Sequence, residues 1–300
     1  MSAGLRIMLD RADFFSMLQK IFRASYHGGC NATRDYRLYG AREGPEDMRT
    51  IILSAGQGKR LLPLTAERPK CLVPICGRPM IAWQIDALLA CGVEDICVVL
   101  GYGADTVEHF LEEQYGRRFI RTLFNPFFSV SDNLATCWIA RGEMTADFIL
   151  LNGDTLFRPA VVEKLLDVEP RPITVTVDRK NQYDVDDMKV ILDGERLVRI
   201  GKDLPLEQVH AESIGMLLLR DQGPELFRHG VEQAMRRPAG LKRWYLSVID
   251  ELAQQGLVWT CCIEGLAWGE VDSAEDLERA AYVVRGIATW DKGVRCGMAL

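Results

Sequence analysis

Two spacings of apolar residues alternate along the middle of the chain. Short apolar-rich runs at Thr50–Ser54, Asp95–Leu100, Ile120–Phe124 and Phe148–Leu151 have the length and β-branched content of buried strands. Between them, apolar positions at helical spacing predict helices from Pro79 to near Gly92, over Ala104–Tyr115, Asp132–Glu143 and Ala160–Leu166. Proline in the first turn and glycine just past the end support the first of these. Ser131 or Asp132 is placed to cap the third. Such alternation predicts an α/β fold with a mostly parallel central sheet and helices on both faces.

The pattern changes after residue 170. Ile173–Val177, Lys189–Leu192, Arg196–Ile200 and Ser213–Leu219 read as strands, with Asp193-Gly194 as a hairpin turn between the second and third. Helices near Pro224–Arg236 and Arg243–Gln254, a strand at Val258–Ile263 and a helix at Ala274–Arg285 follow. Residues 49–285 are expected to form one α/β domain whose second half supplies the acceptor side of a site. Residues 1–47 lack this pattern and read as an N-terminal extension, with Met48 as the alternative natural start; 286–300 reads as a tail.

Composition narrows the classes. With 48% hydrophobic and 26% charged residues, the 300-residue chain can bury a core. Its net charge of −6 offers no basic nucleic-acid surface. The apolar-rich stretch Ile81–Leu100 is interrupted by Gln84, Asp86, Glu94 and Asp95, so no membrane span is expected. Nine cysteines, an odd number without a C-x-x-C pair, predict a reduced, cytoplasmic protein. The scattered histidines argue against zinc. The oligomeric state stays open, a homo-oligomer included.

The chemistry concentrates in Leu53-Ser54-Ala55-Gly56-Gln57-Gly58-Lys59-Arg60-Leu61-Leu62-Pro63-Leu64-Thr65 and the following Pro69-Lys70-Cys71-Leu72. A strand empties into a glycine loop whose backbone N–H groups can form an anion nest, with Lys59, Arg60 and Lys70 beside it. That combination suits a polyphosphate. Leu61 stands where a dinucleotide fingerprint needs its third glycine, and the Walker A spacing is absent. Asp154 follows the strand Phe148–Leu151, at the carboxyl end where open α/β sheets bind ligands. Either it serves the ligand or it caps the next helix. In Trp268-Gly269-Glu270-Val271-Asp272-Ser273, either Asp272 or Ser273 is placed to cap the last helix, a role that does not exclude ligand binding by Asp272.

The extended pattern G-x-G-x-R-L-x-P-L-T with P-K-x-L resembles the signature of nucleotidyltransferases that activate sugar phosphates and related phospho-alcohols. The resemblance covers about 49–285 and implies the nucleotide-diphospho-sugar transferase type of Rossmann-like fold. It implies that Leu53, Ala55, Gly56, Gly58 and Lys59 hold a nucleoside triphosphate, and that Arg60, Lys70 and Lys202 are catalytic cations. It further implies that Asp154 and Asp272 bind Mg²⁺, which favours a few carboxylates plus phosphate oxygens. The acceptor side would draw on Lys189, Glu212 and Ser213.

The segment Asn125–Thr136 departs from the sugar pattern. It looks more like the phosphocholine cytidylyltransferase branch, and Gly201-Lys202-Asp203-Leu204 is similar to inositol-phosphate cytidylyltransferases. CTP is therefore the favoured nucleotide, with Asn133, and less so Asn125, reading base or ribose. The acceptor would be phosphocholine, an inositol phosphate or an aminoethylphosphonate, and Trp244 with Tyr245 could box a quaternary amine. A sugar-1-phosphate uridylyl-, thymidylyl- or guanylyltransferase and a non-catalytic nucleotide-binding subunit are the alternatives.

Overall fold

The computed structural model describes residues 48–116 and 120–288. The expected extension 1–47 and the tail beyond 288 lie outside these residues. From β1 (Arg49–Ser54) the chain passes through a small hairpin, β2 (Pro74–Ile75) and β3 (Arg78–Pro79), into α1 (Met80–Ala90). Then come β4 (Asp95–Leu100), α2 (Ala104–Tyr115), β5 (Ile120–Phe124), α3 (Asn133–Ile139), β6 (Phe148–Asn152), β7 (Thr155–Phe157) and α4 (Pro159–Leu166). The second half contains β8 (Ile173–Asp178), β9 (Lys189–Asp193), β10 (Arg196–Gly201), β11 (Ala211–Leu219), α5 (Gly223–Met235), α6 (Leu246–Ala253), β12 (Val258–Cys262), β13 (Trp268–Glu270) and α7 (Asp276–Ala288).

Among the described residues, nine strands form one sheet in the order β5-β4-β1-β6-β11-β8-β12-β10-β9. The β5-β4-β1-β6 half is parallel, β11 runs against both β6 and β8, and β12 is parallel to β8. The chain moves outward from β1 to β4 and β5 and then crosses back to β6 on the other side of β1, so the strand order reverses at β1. The crevice at its carboxyl end is the place such sheets bind ligands.

Side-chain alternation on β1 builds two cores. Ile52 faces Ile85 and Leu88 of α1, Val107 of α2 and Val162 of α4. Ile51 and Leu53 face Leu134 of α3, Phe227 of α5 and Ile249 of α6. Burial on both faces explains why β1 reads as an uninterrupted apolar run rather than an alternating one. A third cluster, including Leu61, Trp83, Leu156 and Val283, seats α7 beside the loop that follows β1.

Three expectations are adjusted. The helix expected over Asp132–Glu143 is α3, followed by a tighter turn at Ala140–Glu143. The helix expected from Arg243 starts at Leu246, because the carbonyls of Leu241 and Arg243 accept hydrogen bonds from the N–H groups of Asp132 (2.7 Å) and Leu134 (3.2 Å) and hold this stretch outside a helix. The last helix continues past 285 to Ala288.

Candidate active site

The loop after β1 turns at Gly58, which has φ of 74° and opens a short 3₁₀ turn over Lys59–Leu61. Thr65 Oγ1 donates to the Gly58 carbonyl at 2.8 Å and pins the loop. A Cβ on Gly58 would lie 2.8 Å from Lys70 Cβ. Glycine here thus serves both the left-handed backbone and the passage of the Lys70 stem beneath the loop.

Lys70 is the hub. Its Nζ donates to Asp154 Oδ2 at 2.8 Å and to Asp272 Oδ1 at 2.6 Å, while Arg60 Nη2 lies 3.0 Å from Asp272 Oδ2. The two carboxylates meet through a ribbon that the sequence pattern does not reveal. β7 pairs antiparallel with β13, Thr155 opposite Glu270, and Val271 N–H donates to the Asp154 carbonyl at 3.1 Å. Asp276 Oδ2 accepts from the N–H groups of Asp272 (2.9 Å) and Ser273 (2.7 Å), and from Ser273 Oγ (3.0 Å). Asp276 therefore ties down the segment that leads into the last helix, while the Asp272 carboxylate meets Lys70 and Arg60 and caps no helix. Asp154 likewise caps no helix: Arg158 holds that position at α4.

The electrostatics follow from this crowding. Burial alone would lower the Lys70 ammonium, but the Asp154 and Asp272 charges outweigh it and raise the group above its ordinary value. Burial alone would raise the Asp272 carboxyl, and Lys70, Arg60 and Lys202 together bring it below the usual range. Glu270 is open to solvent locally but surrounded by protein at longer range. That surround, and then the charges of Asp154 and Asp272, push its carboxyl up to about 8.

Above the hub lies a cleft of about 400 Å³. Of the residues singled out in the sequence, Leu53, Ala55, Gly56, Gly58, Lys59, Arg60, Lys70, Asn133, Asp154 and Asp272 line it. Lys202 stands at its edge, with Nζ 4.9 Å from the ring centroid of Trp244, which also lines the cleft. Asn133 Oδ1 accepts from Tyr245 N–H at 2.9 Å.

Other expected residues lie elsewhere. Asn125 is fully buried: its Nδ2 donates to Thr136 Oγ1 at 3.2 Å and its Oδ1 accepts from Phe127 N–H at 2.9 Å, so it shapes the cleft wall from behind. Lys189 is 2% exposed, and its ammonium donates to the carbonyls of Val185 (3.1 Å), Asp187 (3.4 Å) and Lys202 (2.9 Å). It clamps the segments around 185–187 and 202 together instead of facing the cleft. Glu212 is buried against Lys180 at 2.9 Å, and Ser213 Oγ accepts from Gly215 N–H at 3.3 Å. Tyr245 is fully buried and cannot form one wall of an amine box; Trp244 alone is exposed to the cleft. Two contributors escaped the sequence reading. Gln84 Nε2 fixes the end of β6 by donating to the carbonyls of Asn152 (2.9 Å) and Thr155 (2.8 Å). Asn152 itself lines the cleft, and its place directly before Gly153-Asp154 was the available signal.

A family model for the MobA-like NTP transferase domain matches residues 50–258, which carry the glycine loop, Lys70 and Asp154. The chain belongs to this family. Among its relatives is the CMP-5'-(3-aminopropyl)phosphonate synthase of Streptomyces rubellomurinus, 31% identical over 247 residues that make up 78% of this chain and 38% of the relative. The bifunctional IPC transferase and DIPP synthase of Aquifex aeolicus is 28% identical over 82% of this chain and 54% of its own. The chain thus spans about half the length, or less, of these curated relatives. The solved CTP:phosphocholine cytidylyltransferase of Streptococcus pneumoniae superposes with a TM-score of 0.66 at 22% identity, covering 79% of this chain and 99% of that one. The inositol-1-phosphate CTP transferase of T. maritima gives a TM-score of 0.67 at 20% identity, covering 83% and 98%. These superpositions establish the nucleotide-diphospho-sugar transferase type of Rossmann-like fold. No helix among the described residues is long and apolar enough to cross a membrane.

The residues present fit a divalent cation. Both carboxylate oxygens contact one ammonium, at 2.8 and 2.6 Å, so they already converge on a single cationic point. Two carboxylates with room for water and phosphate oxygens are the donor set Mg²⁺ favours, and it needs no larger all-protein cage. Among the described residues no group of three or more His, Cys, Asp or Glu side chains forms such a cage.

Proposed function

We propose that this chain transfers a cytidylyl group from CTP to a small phosphonate or phosphorylated alcohol and releases pyrophosphate. The observation that carries the reading is the convergence of Asp154 and Asp272 on Lys70 beneath the glycine loop. The loop binds the triphosphate through its N–H groups, and Lys59 and Arg60 balance its charge. An oxygen of the acceptor's phosphoryl or phosphonyl group attacks the α-phosphorus, and the bond to the β-phosphate oxygen breaks. The nucleophile is already anionic, so no residue need remove a proton. The task is to bring two anions together, and positioned cations do this. Arg60 stabilises the departing pyrophosphate, Lys70 screens the reacting phosphates, and Lys202 approaches from the acceptor side.

Asp154 and Asp272 would hold Mg²⁺, which when bound supplies further neutralisation of phosphate charge. CTP is favoured by the named substrates of the related and superposable proteins and by Asn133. With its Oδ1 held by Tyr245, that side chain has its amide donors left for the acceptor atoms O2 or N3 of cytosine. Cys71, Cys97, Cys137, Cys261 and Cys262 are free thiols, which supports a reducing, cytoplasmic setting.

The test is pyrophosphate release with Mg²⁺, each of CTP, UTP, GTP, ATP and dTTP being offered 3-aminopropylphosphonate, phosphocholine, inositol-1-phosphate and hexose-1-phosphates. Release with CTP and a non-sugar acceptor is expected. Release only with UTP, GTP or dTTP and a hexose phosphate would overturn the cytidylyl reading, and silence with every pair would overturn the transferase.

A further inference from the structure

Tyr245 touches both sides of the cleft from beneath. Its backbone N–H donates to Asn133 Oδ1 at 2.9 Å and its hydroxyl donates to Asn152 Oδ1 at 3.1 Å. The ring is fully buried, and burial holds the phenol well above its ordinary pKa, so the hydroxyl keeps its proton. A buried phenolic proton needs an acceptor, and among the described residues Asn152 Oδ1 is the one it meets. This fixes the orientation of the Asn152 amide. Its Nδ2 has no protein partner among the described residues, and it is not among the side-chain atoms sealed from solvent without one. A donor pair is thus offered to the cleft that Asn152 lines.

The space for this amide is built in. Gly215, in β11, has φ of 71°, and a Cβ there would collide with Asn152 Nδ2 and lie 2.7 Å from its Cγ. A side chain at 215 would therefore fill the volume the amide occupies. Asn152 ends β6, two residues before Asp154, and its side chain leans toward β11. That is the side away from β1 and its glycine loop, which sits against the opposite edge of β6.

We infer that Asn152 is a binding residue for the acceptor's phosphorus-bound oxygens, and that Tyr245 is the positioning residue that aims it. The inference rests on the reading that the acceptor is a phosphonate or phosphomonoester. An anion beside Asp154 needs donors as well as cations, and an amide N–H₂ supplies them without adding charge.

Asn152→Ala is expected to raise the acceptor KM about tenfold or more, the usual scale for a hydrogen bond to a charged group, while leaving the CTP KM within about twofold. Tyr245→Phe keeps the backbone bond to Asn133 and loses only the hydroxyl, so it should show the same split, more weakly. Asn152→Asp still accepts from Tyr245 but replaces the donor with an anion, and should raise the acceptor KM most. Tyr245→Phe added to Asn152→Ala should cost nothing more. A purely structural role would instead lower thermal stability without this split, and would add in the double variant.

Titration of 3-aminopropylphosphonate into each protein, followed by phosphorus-31 NMR, reads the same contact without turnover. Binding without turnover in the wild type would end the proposed transfer but leave this inference to stand on a raised dissociation constant in Asn152→Ala. Acceptor constants unchanged in Asn152→Ala, or a change confined to CTP, would overturn it. A wild type that binds no phosphonate or phosphomonoester would overturn both.

Discussion

Lys70 and Asp272 lie 202 positions apart in the chain and 2.6 Å apart in the structure. The second contact of the same ammonium, to Asp154 at 2.8 Å, makes Lys70 the counter-charge of two carboxylates at once. Lys70→Met removes the cation and leaves both anions facing each other. Pyrophosphate release should fall by about a hundredfold or more, the scale lost with a key electrostatic group. The variant should also be relatively more stable at acid pH, where protonation relieves the repulsion. Unfolding midpoints near pH 5 and pH 8, set against wild type, check this; an unchanged difference between them would contradict it.

Asp154→Asn and Asp272→Asn keep size and remove charge. Each should abolish most metal-dependent turnover, by about a hundredfold or more, while circular dichroism remains that of the wild type. Binding of Mn²⁺ followed by electron paramagnetic resonance should weaken in both. Full Mn²⁺ affinity in either variant would remove that carboxylate from the metal site.

Gly58→Ala tests the loop. The left-handed backbone costs about 1–2 kcal/mol for an L-residue, and the new methyl would press on the Lys70 stem. Nucleotide affinity should fall, and global stability should drop by about 1–2 kcal/mol, with the two main cores left intact because the loop lies outside them. Calorimetric titration with CTP and a urea melt separate the two effects.

Glu212 supplies a pH signature. Burial, only partly offset by Lys180 and aided by the Asp187 charge, pushes its carboxyl up to about 7. Glu270, held up to about 8, faces the same region and stays mostly protonated through the Glu212 window. Between an unfolded value of about 4.3 and this folded value, the native state holds a proton that the unfolded chain has released. Stability from this group therefore declines as pH rises through that window and levels off above it. Glu212→Gln removes the effect. From pH 5 to pH 8 the stability difference should move in favour of the variant, by on the order of 1–3 kcal/mol. Asp187, held low by Lys180 against its own burial, acts only at more acid pH. Urea unfolding at pH 5, 6.5 and 8 measures the slope, and a flat difference would refute the assignment.

Lys189→Met separates a clamp from a ligand contact. The Val185, Asp187 and Lys202 carbonyls would lose their shared donor, at about 1–3 kcal/mol for buried groups left unpaired. Reduced stability with faster hydrogen exchange in 184–188 and 201–203 is expected. Loss of acceptor affinity at unchanged stability would restore Lys189 to the binding surface.

Much of this was readable in the sequence wherever a local signal was strong. The strands Asp95–Leu100 and Ile120–Phe124 and the helix Ala104–Tyr115 have the bounds their periodicity predicts, because glycines or polar breaks mark their ends. The glycine loop and the two aspartates were legible as motifs. What escaped was long-range. The three-residue strands β7 and β13 carry no period of their own, so the ribbon that joins Asp154 to Asp272 was invisible. Lys189 and Asn125 are polar letters in a string, and nothing local announces that tertiary packing buries them. Asn152 was hidden for the opposite reason: a strand-end amide next to a motif looks ordinary until Tyr245, far along the chain, is seen to aim it.

The β7–β13 ribbon also sets an order of assembly. A chain emerging from the ribosome presents the glycine loop, Lys70 and Asp154 well before Trp268–Glu270 can pair with Thr155–Phe157. A chain that stops short of this strand lacks Asp272, one of the two carboxylates that meet at Lys70. The late segment is thus the closing latch of the candidate site, and the last part of it to be synthesised.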